Sequence, residues 1–234
     1  METLDDLIGR LTEIRAQGYI PTHRAGPTGI GKTLEDLLGI QENNIDISNT
    51  TFAELKSARK GSGSMVSLFT KAPLGGANAR LLSNYGYVTS KTMGRKVLHT
   101  TAWAKGFNSL RGKVGFKVVV SNAKVSLVSG GGEELAYWDE ATLRHSFEGK
   151  LHHVLHILAS CRGSGSGEAF WFNEAWLLTG FDFEGFKAAV TSGTVCVDIR
   201  IGQYADGRPH DHGTGFRVLP DKLGLCFKDR KKLL

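Results

Sequence analysis

The chain has 234 residues and a mass of 25.4 kDa, enough for one domain or two lobes around a hydrophobic interior. Hydrophobic residues make up 41% and charged residues 22%, an ordinary globular balance, and no apolar run is long enough for a membrane-spanning helix. The net charge of +6 is unevenly spread: Leu55 to Gly132 holds thirteen Lys or Arg and not one Asp or Glu, which leaves 16 basic and 23 acidic side chains elsewhere. Solvated surfaces normally mix signs, so an acid-free basic segment reads as a face for a polyanion. The N-terminal METLDDLIGRL has acids where a secretory leader would be basic. Cys161, Cys196 and Cys226 lie far apart with no CxxC, which argues against a disulfide framework or zinc-cysteine site and fits a reducing cytoplasm.

Residues 1–18 carry Leu4, Leu7, Ile8, Leu11 and Ile14 at helical spacing, with Gly18 as a stop. A loop follows, then a short helix over KTLEDLLGI. Residues 52–58 and 64–70 read as strands joined by a turn at Lys60–Gly63. A short helix is expected over 74–83, and a hairpin over 114–120 and 123–128 around Ser121-Asn122. Residues 139–160 read as one helix, with His152 and His156 a turn apart on it, partly buried and without the glutamate of an HExxH zinc motif. Helices are expected over 170–178 and 183–191, and strands over 194–201 and GFRVL. The class is α/β.

Three motifs bear on chemistry. Gly26 to Thr33 satisfies the P-loop pattern GxxxxGK[ST], but GYIPTHRA before it is not the unbroken apolar strand such a loop requires. Glu54-Leu55-Lys56 lies in a strand, where alternation turns Glu54 and Lys56 to one side. With a second carboxylate nearby, that pair suits metal-dependent phosphodiester hydrolysis: acids hold Mg²⁺, and the lysine steers the attacking water and stabilises developing charge. In the third motif, Asp198 and Arg200 share a strand face. Tyr204 follows, and then Arg208, His210, Asp211, His212 and Arg217. His-x-His could hold a metal, but a third ligand at recognisable spacing is missing. Alternatively, arginines address guanine and an acid accepts from cytosine in a major groove. A plain polar loop is the third possibility.

His23-Arg24, Gly29 to Ile40, Glu42-Asn43-Asn44, Glu54-Leu55-Lys56 and His210 to Arg217, taken in order, resemble the MvaI/BcnI-type restriction endonucleases, relatives of the MutH nicking enzyme in the PD-(D/E)xK nuclease superfamily. The resemblance implies a mixed sheet flanked by helices, in a bilobal monomer with a DNA cleft between its lobes. Residues 1–110 would form mainly the catalytic lobe and 111–234 mainly the recognition lobe. It implies Mg²⁺-dependent cleavage, with Mn²⁺ as substitute, of short sites of the CC(A/T or G/C)GG kind. By motif, Glu54 and Lys56 are the catalytic pair, Glu35 is an accessory carboxylate, and Leu55 joins Glu54 at the metal. Asp198, Arg200, His210, Asp211, His212 and Arg217 fall at base-reading positions, Tyr204 at the central base pair, and Arg208, Lys60 and Lys71 are further DNA contacts. A cognate DNA methyltransferase would complete a bacterial or archaeal restriction system, acting in the same cytoplasm without direct contact.

One position departs from the pattern. The family's first metal-binding aspartate is expected about five residues before the ExK glutamate, and Asn49 stands there. Either Asp46 has taken over the role, or this is an inactive form. Three other readings remain beside the restriction enzyme: a MutH-like nicking factor needing an activator, a P-loop NTPase, and a DNA-binding protein without catalysis.

Overall fold

The computed structural model describes residues 3–40, 53–148 and 151–234. In chain order the elements begin with α1 (Leu4–Ala16), β1 (Ile20–Pro21), α2 (Gly29–Leu37), β2 (Glu54–Arg59), β3 (Val66–Thr70), α3 (Ala77–Tyr85) and β4 (Leu98–Ala102). They continue with β5 (Ser109–Leu110), β6 (Lys113–Val114), β7 (Phe116–Val120), β8 (Lys124–Ser129), β9 (Glu134–Asp139), α4 (Glu140–Glu148), β10 (His153–Arg162) and β11 (Ala169–Thr179). The last are α5 (Phe183–Thr191), β12 (Val195–Gln203), β13 (Pro209–Asp211), β14 (Gly215–Val218), α6 (Pro220–Leu223) and β15 (Asp229–Lys232). No described helix is long and apolar enough to cross a membrane.

The elements sort into two compact units that interleave along the chain, so neither is an uninterrupted stretch ending near residue 110. The first comprises Met1–Val66, Gly149–Asp182 and Leu219–Leu234, and the second Ser67–Glu148 and Phe183–Val218.

In the first unit a sheet of order β1-β11-β10-β2, with β15 also on β11, is built mostly from antiparallel pairs, while β2 runs parallel to β10. Thr3 starts α1 with a reciprocal capping box to Asp6. Leu7, Leu11 and Ile14 of α1, with Ile30 and Leu34 of α2, then pack on Leu55, Leu155, Ile157, Phe170 and Phe172. These residues line one face of the sheet. Glu54 and Lys56, being alternate to Leu55, point to the other.

The second unit holds a sheet of order β13-β12-β14-β3, with β4 on the other side of β12, and a three-stranded meander β7-β8-β9. Its core is aromatic: Phe69, Phe186 and Phe216 meet one another, and Trp138 packs edge-on against Phe216. Gly215 lies so close to the Phe69 carbonyl that a side chain there would collide with it.

Several local expectations hold: α1, the hairpin β7-β8, α5, β12 and β14 stand where the pattern places them, and α3 is shifted a few residues. Others do not. The expected helix over 139–160 stops at Glu148, and His153–Arg162 is a strand. Its neighbours β2 and β11 flank it and both its faces are covered, so Val154 to Ile157, His156 included, is one fully buried run without alternation. Consequently His152 and His156 are not a helical turn apart.

The expected helix over 170–178 is β11. A bulge between Leu158 and Ala159 of the partner strand skips Asn173, so burial falls at Phe170, Phe172, Ala175 and Leu178, with a three-residue rhythm that mimics a helix. β2 and β3 are strands but not a hairpin, since β2 pairs with β10 and β3 with β14.

Candidate functional site

The first cluster sits on β2. Glu54 is only 5% exposed, and Lys56 Nζ donates to its Oε1 at 2.8 Å. Beyond the end of β2, the Lys60 N–H donates to the Ala159 carbonyl, which fixes the phase of the parallel ladder. In that phase Glu54, Lys56 and Ala58 turn their backbone groups toward β10, and Leu55 and Ser57 turn theirs away. Among the described residues no strand lies on that outer side. The Leu55 carbonyl therefore points away from β10, and it and the Glu54 carboxylate are both hard oxygen donors of the kind a small dication takes. Asp46 and Asn49 lie outside the described residues. Among the described residues no group of three or more His, Cys, Asp and Glu forms a metal cluster.

Glu35 projects from α2 into a hollow of about 270 Å³ that it shares with Arg24, Lys32 and Ser57. Ser57 is on the opposite face of β2 from Lys56, so Glu35 stands across the strand from the Glu54–Lys56 pair. The P-loop pattern is spent inside its own helix. Lys32 pairs with Asp36 at 2.7 Å, and the Thr33 hydroxyl, fully buried, donates to the Gly29 carbonyl and accepts from the His23 N–H. The preceding strand is only Ile20–Pro21 and antiparallel, so no phosphate cradle forms there.

Lys60 continues the Lys56 face and pairs with Glu174 at 2.7 Å. His156, the register partner of Lys56, is buried. Burial pushes its pKa down to about 4, and its Nε2 has no hydrogen-bond partner among the described residues.

The second cluster is on β12 and its neighbours. Asp198 has no exposed surface, and it organises two guanidinium groups. Its Oδ2 accepts from Arg200 Nε at 2.7 Å and lies 2.9 Å from Arg217 Nε, whose N–H is not aligned on it. Its Oδ1 accepts from the Thr101 hydroxyl at 2.9 Å. Arg217 also donates to the Gly213 carbonyl. With its acceptors so occupied, Asp198 is an anchor that aims Arg200 and Arg217 outward.

His99 on β4 lies directly across from Arg200, and its ring is edge-on to His212. Burial, then the positive charges of Arg200 and His212, hold the His99 pKa below the usual imidazole value. Burial and the neighbouring His210 do the same for His212. The His212 ring lies over Gly202, where a Cβ would collide with it. His210 packs against His212 and stacks on Tyr204, centroids 4.3 Å apart and rings near parallel. Arg208 extends over Tyr204 and pairs with Asp206.

Asp211 does not join this array. Its register partner is Ile201, on the other face, and it accepts from the Gly213 and Thr214 amides and from Asn78 Nδ2. Lys71 holds the neighbouring segment through its backbone, taking the Trp138 indole N–H on its carbonyl and donating to the Thr214 carbonyl. Sequence reasoning missed His99, Thr101 and Gly202. The first two lie about a hundred residues before their partners, and only the register of β4 on β12 joins them.

A model of the MvaI/BcnI restriction endonuclease family matches residues 8–227. Among solved structures, the complex of restriction endonuclease MvaI with its cognate DNA substrate is 28% identical, at a TM-score of 0.86, over 100% of this chain and 99% of that one. MvaI in the absence of DNA gives 28% identity and a TM-score of 0.59 over 100% and 98%. A search of curated proteins found no match. The family match and the mixed α/β fold thus define a restriction endonuclease, a site-specific deoxyribonuclease. Within that class the chain belongs to the MvaI/BcnI restriction endonuclease family.

Proposed function

We propose that this protein is a type II restriction enzyme that hydrolyses phosphodiester bonds of duplex DNA at a short GC-rich site of the CC(A/T or G/C)GG kind. It acts as a monomer, cutting the two strands in successive visits, and its host genome is protected by a cognate methyltransferase. The observation that carries the reading is the buried Glu54 carboxylate paired with Lys56 on an outer strand, with the Leu55 carbonyl turned away from β10.

This donor set fits Mg²⁺ or Mn²⁺. Glu54 and Leu55 would hold the ion, with a second carboxylate drawn from position 46 or, in a competent variant, position 49. When bound, such an ion lowers the pKa of a coordinated water and neutralises charge on the scissile phosphate. Lys56, restrained by Glu54, donates a hydrogen bond to the attacking water and stabilises the charge that develops on the phosphate oxygens. Glu35 acts from the α2 side as an accessory carboxylate.

Base reading falls to the second cluster. Arg200 and Arg217 address guanines through a bidentate guanidinium, and the Asp198 ion pairs hold both in the required pose. His210, His212 and Tyr204 read the remaining edges, Arg208, Lys60 and Lys71 meet phosphates, and Asp211 keeps the loop in shape.

Supercoiled plasmid incubated with Mg²⁺, Mn²⁺ or EDTA tests the whole reading. Discrete fragments, formed through an open-circular intermediate in either metal and absent in EDTA, are expected. Nicks that appear only with an added protein would favour the MutH-like alternative, and failure to cut in both metals would refute catalysis by this chain.

A further inference from the structure

We propose that the turn from Lys91 to Arg95 is a second DNA-contacting element of the second unit. Lys91 and Arg95 meet phosphates, and Met93 packs on the apolar edge of the duplex just outside the recognised bases. The inference rests on the DNA reading above.

Met93 stands at the tip of this turn and is 87% exposed. One exposed apolar side chain needs no explanation by itself. Here, however, the residue is also held at φ 48°, a left-handed conformation that glycine adopts freely and methionine does not, and Gly94 follows at φ 79°.

The turn is pinned from within. The Thr92 hydroxyl donates to the Thr89 carbonyl and accepts from the Thr89 N–H, both at 3.0 Å, and the Arg95 N–H donates to the Thr92 carbonyl at 2.9 Å. At its base Tyr87 and Val97 exchange backbone hydrogen bonds. A large apolar group is thus presented to water on a strained but well-tied frame, a combination that folding alone does not favour.

Its surroundings indicate the partner. Lys91 and Arg95 flank Met93, are exposed, and have no ion pair among the described residues. Arg111, at the tip of the β5-β6 hairpin, lies over the Tyr87 ring at 5.2 Å. No acid occurs anywhere in this segment. The Lys96 N–H donates to Gln203 Oε1 at the end of β12, and Val88, Gly94 and Lys96 line a hollow of about 430 Å³ with Gln203, Gly207 and Pro209. The turn therefore stands beside the one that carries Tyr204 and Arg208, within a single unit. A duplex read by those residues continues past Lys91, Met93 and Arg95. Paired cations address its phosphates, and a methionine between them supplies the apolar contact that DNA-binding proteins use against base edges and sugars.

The test uses the full-length protein in EDTA and a long duplex carrying the site mapped by plasmid cleavage. Met93→Gly should keep or raise the melting temperature, because it relieves the backbone, yet weaken binding about tenfold with an unchanged salt slope. Lys91→Ala and Arg95→Ala should each flatten the slope of log affinity against log salt by about 0.9. Trimming the duplex to the recognised bases should bring the wild type down to the level of the variants. Wild-type binding with all three variants indistinguishable from it, on long and trimmed duplexes alike, overturns the assignment of the turn alone. A wild type that binds no duplex removes the DNA reading and the turn's role with it.

Discussion

The two clusters use charge in opposite ways. On β2 one carboxylate and one ammonium are paired on one face of the strand, and the Leu55 carbonyl is turned away from β10. On β12 the Asp198 carboxylate is enclosed, with a hydroxyl on one oxygen and two guanidinium groups on the other, so its charge is consumed in holding Arg200 and Arg217. Hydrolysis needs oxygen ligands that are still available, whereas base reading needs donors whose directions are already set. Under the proposed function, the same residue type, a buried acid beside a cation, serves as a ligand in one unit and as a strut in the other.

The largest effect that could break this contrast is at β2. Glu54→Ala and Lys56→Ala should each lower the single-turnover cleavage rate by roughly a thousandfold or more. Specific binding, measured by gel shift, should survive because the reading cluster lies in the other unit. An active Lys56→Ala enzyme would end the catalytic assignment. Next in size is position 49. If Asn49 stands at the metal, Asn49→Asp should raise Mg²⁺-dependent cleavage by roughly two orders of magnitude, as an anionic ligand replaces an amide. If Asp46 is the ligand, Asn49→Asp should change little and Asp46→Ala should abolish cutting. A plasmid assay on the two single variants separates these, and activity indifferent to both would refute either version.

Asp198→Asn tests the strut. Preference for the cognate duplex over a one-base mismatch should fall by roughly a hundredfold, because two guanidinium groups lose their common anchor. Stability should fall by roughly 3 kcal/mol, near the lower limit for a broken buried pair since both arginines reach solvent. A rate per bound cognate complex close to wild type is expected, in contrast to the β2 variants.

The smallest effect concerns His156 behind Lys56. Its folded-state pKa of about 4 is below the ordinary 6.5, so the neutral ring is the folded form. The stability it contributes is complete above about pH 6.5 and is lost progressively as pH falls toward 4. Urea unfolding should show roughly 2 kcal/mol of loss from this group between pH 7 and pH 5. His156→Leu should flatten that part of the profile. An unchanged profile would mean the acid sensitivity arises elsewhere.

The sequence by itself determined what depends on neighbours one to four residues apart. Strand alternation put Glu54 and Lys56, and likewise Asp198 and Arg200, on common faces, and helical spacing placed α1. The acid-free run marked the basic segment to which the turn with Met93 belongs. Only the tertiary structure decided what depends on register between distant segments. The strands β10 and β11 read as helices because a strand covered on both faces loses its alternation, and because a bulge shifts burial to a three-residue rhythm. The P-loop pattern was complete in sequence, but the ion pair of Lys32 with Asp36 and the buried Thr33 hydroxyl close it off from any phosphate. Thr101, Asp198 and Arg217 have no local relation, and hydrogen bonding of β4 and β14 to either side of β12 makes them one network. Local periodicity carries no information about which strand lies next to which, and the aim of both arginines depends on that pairing.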